Sequence, residues 1–383
     1  MLKCIIATNF FVVKYFCINI QFTYITKNIP PPRLYKYSVI VKINATYQGD
    51  NTMHIPENYL SPSTCAVMAA AAIPAIAVSA KKVKENMPKE KITLLGVFAA
   101  FSFVAMMFNI PLPGGTTGHA VGGTLIAILL GPEAACLSVA VTLIIQALLF
   151  GDGGILALGA NIFNIAFILP YVGYAVYSLI KNHTKSKNGE YIGAAIGSYA
   201  GINAAALMTA VEFGIQPYLF HDASGQALYC PYGLDVSIPA MMIGHLTLFG
   251  LAEVIFTVAV LAFVNSTSPE IAQNQPQTKK SKTMLGILLG VLVCATPIGL
   301  LATGTAWGEW GTEDIATITG FTPAGMTDGI LSDFSSIMPD YTIGNLPEWI
   351  GYILSAVIAV AITIILFKLA SSATKNKVKY EKQ

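Results

Sequence analysis

Charge is scarce in this chain. Lys, Arg, Asp and Glu make up 11% of its 383 residues against 54% hydrophobic, whereas a soluble domain carries about 25% charged residues; a water-soluble globule is excluded. The net charge of +2 is too small to argue for a nucleic-acid partner. Cysteine is sparse as well: the six residues stand singly at 4, 17, 65, 136, 230 and 294, with no C-x-x-C pair, so neither a zinc site nor a disulfide framework is indicated. Cys65, Cys136 and Cys294 read as small apolar residues in helices. There is no G-x-x-x-x-G-K-[ST] phosphate loop, so the chain has no motif for hydrolysing a nucleotide itself. None of the five histidines has another four residues away, which removes the H-E-x-x-H arrangement an intramembrane metalloenzyme would need.

What the chain has in quantity is apolar runs. From Met53 onward, hydropathy and length predict nine membrane segments, at about 62–80, 92–110, 120–130, 134–150, 159–180, 191–213, 237–264, 284–303 and 350–369. The predicted fold is an all-α polytopic membrane protein. Residues 53–265 form a bundle of about seven helices, residues 266–283 a Ser/Pro/Gln/Lys cytoplasmic linker, and residues 284–370 a two-helix module with an extracytoplasmic loop; residues 371–383 are a basic cytoplasmic tail. Small residues in the first span, Ala66, Ala69, Ala70, Ala71 and Ala72, permit close helix contact.

Residues 1–52 read differently: rich in Ile, Asn, Lys, Tyr and Phe, poor in Gly and Ala, and broken by Pro30-Pro31-Pro32. The apolar run from Cys4 to Val13 is shorter than the ~20 residues a span requires, and no A-x-A cleavage pattern follows it. Two readings compete, a poor signal or anchor segment and an upstream extension ahead of a true start at Met53; the second is favoured. The codons for Gln48-Gly49-Asp50 have the form CA(A/G)-GGN-GA(T/C), which accommodates a purine-rich ribosome-binding sequence just ahead of Met53.

Lysines orient the nine segments through the positive-inside bias. With the Lys81–Lys91 loop in the cytoplasm, Lys181–Lys187, Lys279–Lys282 and the tail also fall inside, provided that the short run 120–130 counts as a crossing. Met53 and the loop ending in His119 then lie outside. So does the 304–349 loop, which has no Lys or Arg and carries Glu309, Glu313, Asp314, Asp328, Asp333, Asp340 and Glu348, a charge pattern that raises local cation concentration.

If translation starts at Met53, His54 is residue 2. A free α-amine, the amide nitrogen of residue 2 and its imidazole close fused five- and six-membered chelate rings around one ion, and planar nitrogen donors suit Ni(II) and Cu(II), with Co(II) less strict. The alternative is an ordinary internal methionine beside a loop histidine. A second histidine, His119, sits in Gly114-Gly115-Thr116-Thr117-Gly118-His119-Ala120-Val121-Gly122-Gly123. Five glycines in ten residues let a helix begin at membrane depth, as in binding sites built from discontinuous helices; the alternative is an interfacial histidine beside a tight turn. Asp152, Asn161, Asn164, His245 and Glu253 are candidates for the surroundings of a metal. Asp152, on the outer side, is placed to orient an imidazole or simply to make the turn Gly151-Asp152-Gly153-Gly154. His245 and Glu253, eight apart, share roughly one helical face and read as helix-contact groups first and metal neighbours second. His183 and His221 read as solvated, and the Met106-Met107 and Met241-Met242 pairs as packing.

Four stretches together, Met53-His54-Ile55-Pro56, the Gly114–Gly123 run, Phe150–Asn164 (FGDGGILALGANIFN) and Gly244–Glu253 (GHLTLFGLAE), resemble the CbiM/NikM family. These are substrate-capture components of energy-coupling-factor (ECF) ABC transporters for cobalt or nickel. The resemblance covers about residues 53–265. It implies an ion held by the Met53 amine, the His54 amide nitrogen and ring, and the His119 ring; a peptide bond to Thr52 would abolish the amine ligand. It further implies Ni(II) or Co(II) as transported substrate without an organic cofactor, and partnership in the cell membrane with a transmembrane coupling (T) subunit and two ATPase (A) subunits. Residues 284–370, with Pro339-Asp340-Tyr341-Thr342-Ile343 and Trp349, resemble the small NikN/PDGLE-like component, whose implied role is loading the metal site and whose fusion tilts the ion toward nickel. The competing functional reading is an ion-coupled divalent-metal carrier without ATPases, resting on His245 and Glu253.

Overall fold

Ser61 opens the first helix. Its Oγ accepts from the Thr64 amide at 3.1 Å, and Pro62 occupies the first turn, where no amide hydrogen is missed. The computed structural model describes residues 54–112, 116–184, 186, 188–272, 275–302, 306–308, 310–327, 331 and 334–373. Met53, everything before it, Lys185, Lys187, Glu309, Asp328, Asp333 and the lysines of the tail lie outside the described residues.

Helix α1, Pro62–Asn86, is followed after Pro88 by α2, Lys89–Met106. The second is apolar on all sides and buried almost throughout, as befits the central helix of a bundle. A two-stranded antiparallel hairpin follows, β1 Ile110–Leu112 with β2 Thr116–Gly118, and Ile110 lies opposite Gly118. Helix α3, Gly123–Leu130, has eight residues. The remaining long helices are α4 Pro132–Phe150, α5 Leu158–His183, α6 Gly189–Leu219, α7 Leu234–Thr267, α8 Lys279–Leu301 and α9 Glu348–Ala373.

Every one of the nine expected segments finds a helix, but among the described residues seven are long and apolar enough to cross a membrane: α1 and α4–α9. Helix α2 opens on Lys89-Glu90-Lys91, and α3 is only about 12 Å long at 1.5 Å per residue, far short of the roughly 30 Å hydrocarbon layer. The short helix nevertheless reverses the chain. Lys82, at the end of α1, pairs with Glu133, at the start of α4, at 2.6 Å, so the turn at Gly131 lies at the same end of the bundle as the Lys81–Lys91 turn. The hairpin and α3 together make the return that the lysine pattern requires.

Close approaches are made where side chains are absent or small. A Cβ on Gly159 of α5 would fall 2.6 Å from the Ala69 Cα of α1, and one on Gly96 of α2 would fall 2.9 Å from the Thr363 carbonyl of α9. The C-terminal helix is thereby seated directly on the central helix. Three of the long helices contain wide π turns, Gln146–Phe150 in α4, Ile162–Ile168 in α5 and His245–Phe249 in α7. Such turns re-aim side chains and recur at functional sites; here those of α5 and α7 border one cavity through Ile165, His245 and Phe249, and that of α4 reaches His54 through Gln146.

Candidate metal centre

The segment His54–Ser61 is drawn between the helices. His54 and Ile55 are 3% exposed, and Tyr59 and Leu60 are fully buried. Its backbone is held by partners far along the chain. Ile55 donates to Asn161 Oδ1 at 3.1 Å, while its carbonyl accepts from Asn161 Nδ2 at 3.3 Å and from the Gly154 amide at 2.9 Å. The Leu156 amide donates to Glu57 Oε2 at 3.1 Å, and Ser61 donates to Gln216 Oε1 at 3.0 Å. Gly153, at φ +93°, packs against this segment so closely that a Cβ there would lie 2.9 Å from the His54 Cβ. Gly153→Ala combines a left-handed backbone with overpacking and is expected to cost about 2–4 kcal/mol, read as a lower melting temperature of the metal-free protein in detergent.

His119 lies in the loop from β2 to α3, and Glu253 fixes that loop from α7. Its carboxylate accepts from the Val121 amide at 2.7 Å and from the Gly122 amide at 3.0 and 3.1 Å. Gly122, at φ +74°, is the left-handed residue that turns the chain into α3. A carboxylate at a helix start meets unsatisfied amides and the positive end of the helix dipole, which accounts for a fully buried glutamate within a membrane span. Ser102 adds a bond from its Oγ to the Val121 carbonyl at 2.9 Å.

These two anchored loops bring His54 and His119 together, with ring centroids 5.5 Å apart and planes at 86°. At metal–nitrogen distances of roughly 2 Å, rings this close need only side-chain rotation to share an ion. The two nitrogens of His54 are in unlike positions. Nε2 meets Gln146 Oε1 at 3.2 Å, whereas Nδ1 is buried without a hydrogen-bond partner, a condition that costs about 1–3 kcal/mol unless something binds there. Nδ1 is also the ring atom that closes a six-membered chelate with the residue's own amide nitrogen. Among the described residues no three His, Cys, Asp or Glu side chains converge as a metal site. Two imidazoles are the side chains of that kind that meet here.

The other candidates sort out by position. Asp152 is 2% exposed and reaches the histidine through an intermediary: Gln146 Nε2 donates to Asp152 Oδ2 at 3.3 Å. Asn161 holds the backbone beside His54 rather than its ring. Asn164 points elsewhere, donating to Thr209 Oγ1 at 3.1 Å and Glu212 Oε2 at 3.0 Å. His245 lines the same cavity as His54, His119 and Asn161, with its Nδ1 on the Met241 carbonyl at 2.8 Å and its ring edge-on to Phe249. His245 and Glu253 do not pair: one turns to its own helix and the other to the α3 loop. His183 and His221 are exposed.

Three neighbours of the histidines were not among the site candidates, although Tyr341 stands in the signature of the C-terminal module. Gln146 is the direct partner of His54; its one visible signal is a lone amide inside the apolar run Thr142–Phe150. Tyr341, from the turn before α9, donates its hydroxyl to Asp152 Oδ2. Burial, with the Asp152 carboxylate adding to it, holds this phenol well above its usual range, so it stays a proton donor. Trp307 lines the cavity and packs against Phe213 and Tyr232, while its neighbour Ala306 bridges to Thr117 of the hairpin. Ala306 and Trp307, from the connection between α8 and α9, thus line the cavity that holds the two histidines.

The chain is similar to known proteins along most of its length. A family model described as the cobalt uptake substrate-specific transmembrane region, CbiM, matches residues 54–271, and the PDGLE domain model matches residues 281–376. The chain is 48% identical over 324 residues to the "Probable fused nickel transport protein LarMN" of Lactiplantibacillus plantarum, covering 82% of this chain and 97% of that one. It is 45% identical over 332 residues to the "Fused nickel transport protein NikMN" of Rhodobacter capsulatus, covering 82% and 95%. A crystal structure of a truncated transition metal transporter superposes with a TM-score of 0.53 at 55% identity, covering 56% of this chain and 99% of that one.

Proposed function

Since this chain belongs to the CbiM family, carries a PDGLE domain behind that region and is a nickel/cobalt transport component of this type, we propose that it captures Ni(II) or Co(II) at the outer face of the cell membrane for an ECF-type ABC importer. One observation carries the reading: two imidazoles 5.5 Å apart in a lined cavity, one of them with a buried, unpaired Nδ1. The ion is held by the Met53 amine, the His54 amide nitrogen and Nδ1, and the His119 ring. Four nitrogens of this kind suit either metal; nickel is the ion named for both fused relatives and cobalt the one named for the family.

In this reading translation begins at Met53, which supplies the amine, and the bulk of His54 protects Met53 from removal once its formyl group is gone. The lysine-rich turns face the cytoplasm, which puts the ion site outside. Energy comes from two ATPase subunits through a transmembrane coupling subunit, the partners that the resemblance to ECF transporters implies.

The test is metal analysis and intact-mass measurement of natively expressed protein, followed by uptake in vesicles. The expected result is one Ni or Co per chain, a mass that begins at Met53, and uptake that falls to leakage without the ATPase subunits. Binding fades toward acid pH, because protons compete for every nitrogen donor. A mass that includes residues 1–52 overturns the chelate. Full-rate uptake by this chain alone makes it a channel or an ion-coupled carrier.

A further inference from the structure

We infer that the C-terminal module acts on the capture site through one positioning residue: Tyr341, by holding Asp152, fixes the amide of Gln146 and so keeps His54 in the tautomer whose Nδ1 lone pair faces the ion. The inference rests on the reading of His54 as a ligand given above.

The chain of reasoning is one of donors and acceptors. Asp152 Oδ2 accepts from the Tyr341 hydroxyl, and an accepting carboxylate oxygen is matched by a donor, so the end of the Gln146 amide that meets it at 3.3 Å is the NH2 group. The other end, 3.2 Å from His54 Nε2, is then the carbonyl oxygen. Facing a carbonyl, Nε2 has to carry the hydrogen. A neutral imidazole has one N–H, so Nδ1 is left with its lone pair, and Nδ1 is the buried nitrogen without a partner. Were the Gln146 amide reversed, its NH2 would face His54, Nε2 would accept, and Nδ1 would carry the proton where the ion is to bind. This is the way outer groups fix a ligating histidine in metal sites generally.

Tyr341 closes the arrangement from the other module. Its hydroxyl donates to the same Oδ2 of Asp152, and its oxygen lies 3.4 Å from Gln146 Nε2 as an acceptor. The phenol is held rigidly. It is 1% exposed, stacks on Phe150 with centroids 4.8 Å apart and planes at 20°, and meets the edge of Tyr352 at 5.3 Å. Asp340 and Tyr341 both have left-handed backbones, at φ +54° and +60°, and bulky residues adopt that conformation only where their surroundings impose it. Met338 ties the same turn to α4 through its amide, 2.8 Å from the Leu149 carbonyl.

The experiment uses the full chain starting at Met53 and its Tyr341→Phe variant, which keeps the stacked ring and removes the hydroxyl. Nitrogen-15 NMR of labelled histidine in metal-free protein reads the tautomer of His54, with His54→Gln identifying its signals, and titration with Ni(II) alone reads affinity. The expected result is a shift of His54 toward the Nδ1–H tautomer and about tenfold weaker Ni(II) binding, with little change in melting temperature. Asp152→Asn, which lets the amide of Gln146 take either orientation, gives the same shift by a second route and serves if Tyr341→Phe folds poorly. An unchanged tautomer in both variants overturns the inference, whatever happens to affinity, because Tyr341 would then act by packing. A shifted tautomer with undiminished Ni(II) binding upholds control of the tautomer and overturns His54 Nδ1 as a ligand, which separates the two failures.

Discussion

Placing one extra residue ahead of Met53 lowers Ni(II) affinity on the order of 10²–10³-fold, if four nitrogen donors share a binding free energy of about 10–16 kcal/mol and each contributes about 3–4. The extension leaves both imidazoles in place. It converts the amine of Met53 into an amide, which ligates only after losing a proton, and it moves the free amine one residue further from the buried His54. Isothermal titration of the two purified forms checks this, with circular dichroism confirming equal helix content. Equal affinity in the two forms would refute the chelate, and with it the importance of where translation starts. The melting temperature without metal is expected to stay the same, because the hydrogen bonds of His54 to Gln146 and of Ile55 to Asn161 do not use the terminal amine.

His54→Ala is expected to weaken Ni(II) binding by about 10³-fold and His119→Ala by about 10²-fold on the same scale. The first loses Nδ1 together with the six-membered ring it closes, and it also leaves the Gln146 carbonyl without its donor. The second loses one side-chain ligand and leaves the N-terminal chelate whole. His245→Ala is the control. It lines the same cavity, but its Nδ1 is occupied by the Met241 carbonyl, so the expected change in affinity is small. A His245 variant as damaging as the His119 variant would move the site deeper into the bundle and revive a proton- or ion-coupled route. Titration at one fixed pH separates these cases.

Which polar residues matter was legible in part. Asp152 and Glu253 announce themselves as charges in an apolar chain. What each one does was not legible, because the relevant spacing is broken. His245 and Glu253, eight apart, share a face only in a regular α-helix. The π turn His245–Phe249 takes up about one extra residue, roughly 100° of rotation at 3.6 residues per turn, and Glu253 turns instead to the amides of Val121 and Gly122. A similar π turn, Ile162–Ile168, separates Asn161 from Asn164, and the two face different partners. Gln146 was passed over because one amide in a span of this hydropathy reads as a tolerated helix residue.

By itself the sequence determined the membrane class, the order and approximate limits of the helices, both histidine loops and the family. Each of these is written in contiguous residues: hydropathy is a sum over a window about as long as the bilayer is thick, and a glycine-rich loop carries its conformation locally. Only the tertiary structure decided that His54 meets Gln146, 92 residues away, and that Gln146 meets Tyr341, 195 residues further on. Such meetings depend on how helices are rotated and seated against one another, and a single π turn or a glycine such as Gly96 is enough to change them without leaving a trace in the hydropathy of the chain.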